Sequence, residues 1–434
     1  MNSKTNPLVP SDFAQPQAAC DDTTICNSRR INPSLLLSRT LIQLPIAILG
    51  LLAFAARADE LDTLQFKVSE SVQHDSNIYR LSDSADAQTL LGTPTRSDII
   101  AVTTLGFKVN KPYSLQRFEL AIDAEDHRYR RFSNLNFTAV NYSAAWRWSF
   151  TPALHGNLTT DRQETVDYYA DVQNTGALNR RTSRTTVLDA EYELSSAWRL
   201  VGGVFQLGNT NSQPLTFVGD SKVVGLEAGL RYVFPSDTSM SYRFKNGAGK
   251  NTGLSPSSGF AGNFKDKEHE FRLDWAPTGK TTIQARMSQF DRTYDGFSTR
   301  NFSGVIGVLN GSWAVTGKTS IIGGLARDLG SYQTSTDSYY QGYRLFVAPT
   351  WKATEKIALR ARYDHGVRDY KGPLAGFASS GRQDTTELAT LAIEWQPLRA
   401  LKLTALILRD RRKSNLPGFD YISNSVGLTA LASF

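Results

Sequence analysis

Beyond Cys26 the chain has no cysteine, and before it only Cys20. Disulfide scaffolds, zinc–thiolate sites and cysteine catalysis are therefore excluded for everything that follows. Histidine is scarce too: His74, His127, His155, His269 and His365 stand apart, with no partner at ligand spacing. No HExxH, GxSxG or phosphate-loop pattern occurs, and GAGKNTG at 247–253 lacks Walker spacing and reads as loop chemistry. The run DKEHE at 266–270 reads as a solvated strand entry rather than a metal site. No catalytic, cofactor-binding or metal residue is expected, and the chain does not read as an enzyme. Charge of one sign is missing as well: the net charge is +7 over 434 residues, with no Lys/Arg cluster of the kind that binds nucleic acid.

Long apolar runs are nearly absent. The one exception, LIQLPIAILGLLAFAARADE from Leu41, follows Arg29, Arg30 and Arg39 and ends in Ala56-Arg57-Ala58. That pattern predicts a Sec signal peptide cleaved after Ala58. Residues 1–58 are thus an N-terminal extension and signal, and residues 59–434 a single domain. A mean hydropathy of −0.33 rules out a bundle of membrane helices but not a membrane β-barrel, whose strands face lipid with every second residue only.

What is present is a repeat. DWAPTGKTTIQAR at 274, SWAVTGKTSIIGG at 312, TWKATEKIALRAR at 350 and EWQPLRALKLTAL at 394 each join a tryptophan, a tight polar turn and an apolar alternation, roughly forty residues apart. One tight turn and one longer polar loop per period mean two long strands, a hairpin rather than a propeller blade. In KVVGLEAGLRYVF, Val224, Leu226, Ala228, Leu230 and Tyr232 share one face while Glu227, Gly229 and Arg231 share the other. Such segments run from 62–72 and 98–110 to 400–412 and 420–434, giving an all-β, antiparallel up-and-down transmembrane barrel of about 18 strands, with 16 also open.

Short turns beside Trp148, Tyr232, Trp275, Trp313, Trp351 and Trp395 predict a periplasmic aromatic girdle, with the longer polar loops outside. The chain ends in VGLTALASF, where Ile422, Val426, Leu428, Ala430, Ala432 and Phe434 form one apolar face. That is the closing strand of a barrel, and Phe434 resembles the terminal signal read by the outer-membrane barrel assembly machinery. Alternation turns Arg117, Glu119, Asp123, Arg147, Arg231, Arg243, Arg272, Arg286, Arg344, Arg360, Arg362 and Asp364 inward as candidate pore-lining residues. Such residues either tune passage of anionic or hydroxyl-rich solutes or pair across strands to stiffen the wall.

The opening of the expected domain, LQFKVSESVQHDSNIYRLSDS with DSNIYRLS at 75–82, resembles the EpsL family of outer-membrane barrels that accompany exosortase systems. The resemblance implies a role in exopolysaccharide biosynthesis, as a conduit for polymer across a Gram-negative outer membrane. Its implied partners are membrane lipid, polysaccharide and other proteins of the same operon, with no cofactor. A general or solute-selective diffusion porin, or a structural component of the secretion complex, is the alternative. An inward-folded constriction loop would favour the porin.

Overall fold

The computed structural model describes residues 63–167, 179–213, 219–236, 238–252, 262–332 and 334–434. The signal peptide, its cleavage point and both cysteines lie outside the described residues, as do parts of three of the long connections.

The described residues form eighteen strands. The first six are β1 (Leu64–Asp75), β2 (Asp98–Tyr113), β3 (Gln116–Tyr129), β4 (Phe137–Thr151), β5 (Leu154–Asp167) and β6 (Asn179–Glu193). Then come β7 (Trp198–Asn211), β8 (Asp220–Val233), β9 (Ser239–Thr252), β10 (Gly262–Thr278), β11 (Thr281–Tyr294) and β12 (Phe302–Ala314). The last are β13 (Thr319–Ser331), β14 (Tyr339–Lys352), β15 (Ile357–Lys371), β16 (Gln383–Leu398), β17 (Leu401–Ser414) and β18 (Tyr421–Ser433). Each strand pairs antiparallel with its sequence neighbour, and β1 pairs with β18, so the sheet closes without an edge. Eighteen is the count that the alternation predicts.

The reason these segments form strands is visible in any one register. Between β7 and β8, Leu200 faces Leu230 and Val204 faces Leu226 on the outside, while Arg199 faces Arg231 and Gly203 faces Glu227 on the inside. Leu226 is 63% exposed, as befits a side chain that faces hydrocarbon. Polar and apolar positions therefore swap their usual places, with the apolar face outward.

Aromatic contact closes the seam at the end bearing the short turns. Phe66 and Phe434 exchange backbone hydrogen bonds, N–H to O at 2.6 and 2.9 Å, and their rings stack with centroids 6.2 Å apart. Register shifts in β4, β10 and β16 fall just past Trp148, Trp275 and Trp395, where the strands bend into their turns.

The segment GAGKNTG is not wholly a loop. Its residues up to Thr252 belong to β9, and Gly247 and Gly249 lie on the inward face. A Cβ on Gly249 would sit 2.2 Å from the Phe264 ring, so the glycine makes room for an aromatic side chain against the inner wall.

Candidate functional site

Among the described residues the longest connection at the loop end is 76–97, between β1 and β2. Its short helix α1 (Ala87–Leu91) is capped by Asp86, whose carboxylate accepts from Gln88 N, and stopped by Gly92 in the left-handed conformation at φ 70°. Ile78, Tyr79, Leu81 and Ala87 are buried against Ile100 and Val102 of β2, Tyr129 of β3, and Phe132 and Leu135 of the next loop. Ile100 and Val102 share the face of β2 that carries Gly106, where an added Cβ would meet Lys67 and Asp123 of the inner wall. The connection thus folds into the barrel mouth instead of standing out from it.

Polar contacts fix it there. Arg80 Nη1 donates to Asp75 Oδ2 and to the Asn77 carbonyl, both at 2.6 Å, and its Nε donates to Asp410 Oδ2 of β17 at 3.0 Å. Asn77 Nδ2 donates to Leu81 O and to Ile422 O of β18, at 2.8 and 3.1 Å. Ser82 Oγ donates to Asp420 at 2.8 Å. The DSNIYRLS element therefore ties β1 to β17 and β18 at the outer end of the seam that Phe66 and Phe434 close at the other. Burial pushes the Tyr79 phenol above its ordinary value, leaving a neutral hydroxyl that accepts from Asn134 Nδ2 at 3.2 Å.

Two further loop arginines are buried at this mouth. Arg382 donates to both carboxylate oxygens of Asp384 and to Tyr332 Oη, and its guanidinium lies 3.7 Å from the Phe419 ring centroid and 4.2 Å from that of Tyr370. Arg300 lies over Tyr294 at 4.1 Å. Arginine tolerates such burial because its charge is delocalised and its plane stacks on rings.

The wall below carries the predicted candidates, and every one of them lies on the inward face by register. Arg147 makes a two-pronged contact with Glu119, 2.9 Å on each arm, and Arg117 approaches the same carboxylate at 3.9 Å. Asp123 meets Lys67 at 2.9 Å. Arg231 and Arg199 share Glu191 at 3.1 and 3.0 Å, and Arg243 binds Glu227. Arg272 binds Glu270, which Arg286 approaches at 4.0 Å. Arg360 meets Glu394 at 3.0 Å and Arg362 meets Asp364 at 2.7 Å. Arg344 stands opposite Gly366 on the same face, beside Asp364. The structure brings the candidates together as ion pairs, not as one convergent cluster.

The DKEHE reading needs correction. Asp266, Glu268 and Glu270 point inward and are almost fully buried, while Lys267 and His269 point outward. Lys245 of β9, only 1% exposed, donates to Glu270 Oε2 at 2.7 Å and lies 3.8 Å from Glu268. Asp266 holds Arg292 in a two-pronged contact, 2.7 Å on each arm. Among the described residues no group of three His, Cys, Asp or Glu is placed to hold a metal ion.

Accessibility changes along the interior. Near the short turns Arg117 and Lys67 remain open at 49% and 45%, whereas Glu191, Ser239 and Glu394 at the same end are buried. Toward the loops inward side chains are covered, with Asp75 and Asp384 at 0%. Eighteen strands enclose more space than side chains fill, and folded loops narrow that space at the loop end.

On the outside, Trp275, Trp313, Trp351 and Trp395 stand about half exposed beside the short turns, and Tyr232 at the end of β8 faces the same way but is partly covered. Trp198 and Trp146 lie at the same level and extend the predicted set. Trp148 differs: it lies flat against Gly156 of β5 and is buried.

A closed barrel with an apolar outer wall and a polar interior is a transmembrane protein of a Gram-negative outer membrane. No protein-family model matches the chain, and no curated protein matches it in sequence. Among solved structures it is similar to OccK1 (OpdK) of Pseudomonas aeruginosa, at 13% identity and a TM-score of 0.45, over 86% of this chain and 99% of that one. A BenF-like porin from Pseudomonas fluorescens Pf-5 gives 12% identity and a TM-score of 0.48, over 87% and 100%. OccAB4 of Acinetobacter baumannii gives 10% and 0.45, also over 87% and 100%.

Proposed function

We propose that this barrel is a solute-selective diffusion channel of the outer membrane, acting by hydrated passage without a catalytic step. The observation that carries the reading is the inward fold of residues 76–97, which narrows the mouth with a packed, ion-paired element. A small hydrophilic solute passes such a constriction more readily than a chain of linked sugars does. Below it, paired arginines and carboxylates offer many weak, exchangeable contacts to hydroxyl and carboxylate groups, which is what passage without trapping requires. The test is conductance and solute flux in planar bilayers. Replacing residues 83–93 by a short Gly/Ser linker should raise conductance and weaken discrimination between solutes. Unchanged conductance and selectivity would remove the support.

The polymer-export reading rests on the resemblance of the DSNIYRLS element, together with the partners that the resemblance implies. A deletion strain that accumulates exopolysaccharide in its periplasm would favour export. Normal polymer release with impaired uptake of small solutes would favour the porin.

A further inference from the structure

On the outside of β8, β9 and β10 the apolar face gives way to lysine on the loop side. Along β8 the outward residues run Tyr232, Leu230, Ala228, Leu226, Val224 and then Lys222. Along β9 they run from Met240, Tyr242 and Phe244 to Asn246, Ala248 and Lys250. Along β10 they run from Trp275, Leu273 and Phe271 to His269, Lys267 and Lys265. Lys222 and Lys250 are direct cross-strand partners, and Lys265 and Lys267 lie on the adjoining strand. All four are exposed.

Like charges placed directly opposite on a sheet repel, so this arrangement lacks something when the protein stands alone. Among the described residues no carboxylate lies within 4 Å of any of the four lysines. Asp291 of β11 stands opposite Lys267 in register without forming an ion pair, and the Asp220 carboxylate is taken by the backbone N and Nδ2 of Asn211 at 2.8 Å each. The missing partner is anionic, sits at headgroup height on the loop side, and has apolar chains that descend over Val224, Leu226, Phe244 and Phe271. The outer leaflet of a Gram-negative outer membrane is built from such a molecule, a glycolipid whose glucosamine headgroup bears phosphates above its acyl chains.

We propose that Lys222, Lys250, Lys265 and Lys267 form a docking site for the phosphorylated headgroup of the outer-leaflet glycolipid, with its acyl chains on the apolar wall beneath. Long lysine stems reach from the lipid boundary to the phosphate level, and ammonium groups are effective phosphate donors.

The test uses the folded full barrel in detergent, titrated by native mass spectrometry with bis-phosphorylated lipid A in the presence of a chelator. The wild type should retain the lipid. The fourfold variant Lys222→Gln, Lys250→Gln, Lys265→Gln, Lys267→Gln should bind tenfold or more weakly, each lysine near the membrane surface contributing about fivefold. The corresponding fourfold Lys→Arg variant should bind as the wild type does, and dephosphorylated lipid A should bind the wild type as weakly as the phosphorylated form binds the Gln variant. Heat-modifiable gel mobility checks folding, and if the fourfold variant misfolds, the pair Lys222→Gln and Lys250→Gln carries the test. Equal binding by the Gln variant would overturn the proposal, and so would equal loss in Arg409→Gln/Lys413→Gln on the far wall. Displacement of the lipid by millimolar inorganic phosphate would mark a free-anion site instead, and loss of an oligomer rather than of lipid would mark a contact between copies.

Discussion

Arg80 and Asp75 lie 2.6 Å apart with side chains 5% and 0% exposed, and Arg80 adopts a left-handed backbone at φ 57° to reach that position. A non-glycine residue holds such a φ only where its surroundings over-determine it. Here the guanidinium joins the end of β1 to Asp410 of β17 across the seam. Arg80→Ala would leave two carboxylates without their shared cation, and losing one partner of a buried pair costs about 3–5 kcal/mol. That exceeds what a single connection can absorb, so residues 76–97 should detach locally while the barrel stays closed. The expected outcome is fast trypsin cleavage within the connection and higher single-channel conductance, with unchanged strand content by circular dichroism. Slow cleavage and wild-type conductance would show that the apolar packing of Ile78 and Leu81 suffices without the ion pair.

Phe434 closes the other end of the same seam. Its ring contact with Phe66 contributes about 0.5–1.5 kcal/mol beyond area burial, so Phe434→Ala should lower the unfolding midpoint of refolded barrel in detergent only slightly. If the residue also serves assembly, the amount of folded protein in the outer-membrane fraction should fall far more than that small loss explains. Equal, modest effects in detergent and in cells would reduce Phe434 to a packing residue.

The strands were legible because lipid imposes a strict period of two on one face, and each of the eighteen segments carries it. Boundaries slipped where that pressure ends. β1 runs on to Asp75 rather than 72 and β17 to Ser414 rather than 412, since above the lipid zone both faces of a strand can be polar and the alternation vanishes. The same parity turned each candidate arginine inward, but it said nothing of partners, which depend on the register between strands. Asp266, Glu268 and Glu270 were misread as solvated because charge was weighed ahead of phase. Carrying the period back from Trp275, Leu273 and Phe271 places all three inward. The DSNIYRLS fold was beyond reach: no pattern announces that an arginine will take a positive φ and bridge residues 330 positions apart.

Gly249 tests how tightly the inner wall is built. An added Cβ would stand 2.2 Å from one Phe264 ring atom and 2.3 Å from the next, inside a ladder where neither backbone can retreat. Overpacking of this kind costs about 1–3 kcal/mol. Gly249→Ala should lower the unfolding midpoint in urea, and Phe264→Leu in the same chain should restore part of the loss. Additive losses in the double variant would mean the ring already has room to move.

Lys245 gives the sharpest contrast between removing a charge and replacing a pair. Its ammonium lies on the inner wall between Glu268 and Glu270, with all three side chains 2% exposed or less. Glu270 also receives Arg272 and lies 4.0 Å from Arg286, whereas among the described residues Lys245 is the cation within 4 Å of Glu268. Lys245→Met removes one cation and strands a buried carboxylate, a loss of about 3–5 kcal/mol. Adding Glu268→Gln to Lys245→Met restores the balance, since an amide can still receive a hydrogen bond without carrying charge. Unfolding in urea should therefore rank the wild type and the double variant close together, with the single variant well below both. If the single variant matched the wild type, water would be reaching this wall, and the cluster would belong to the open interior rather than to a packed part of the barrel.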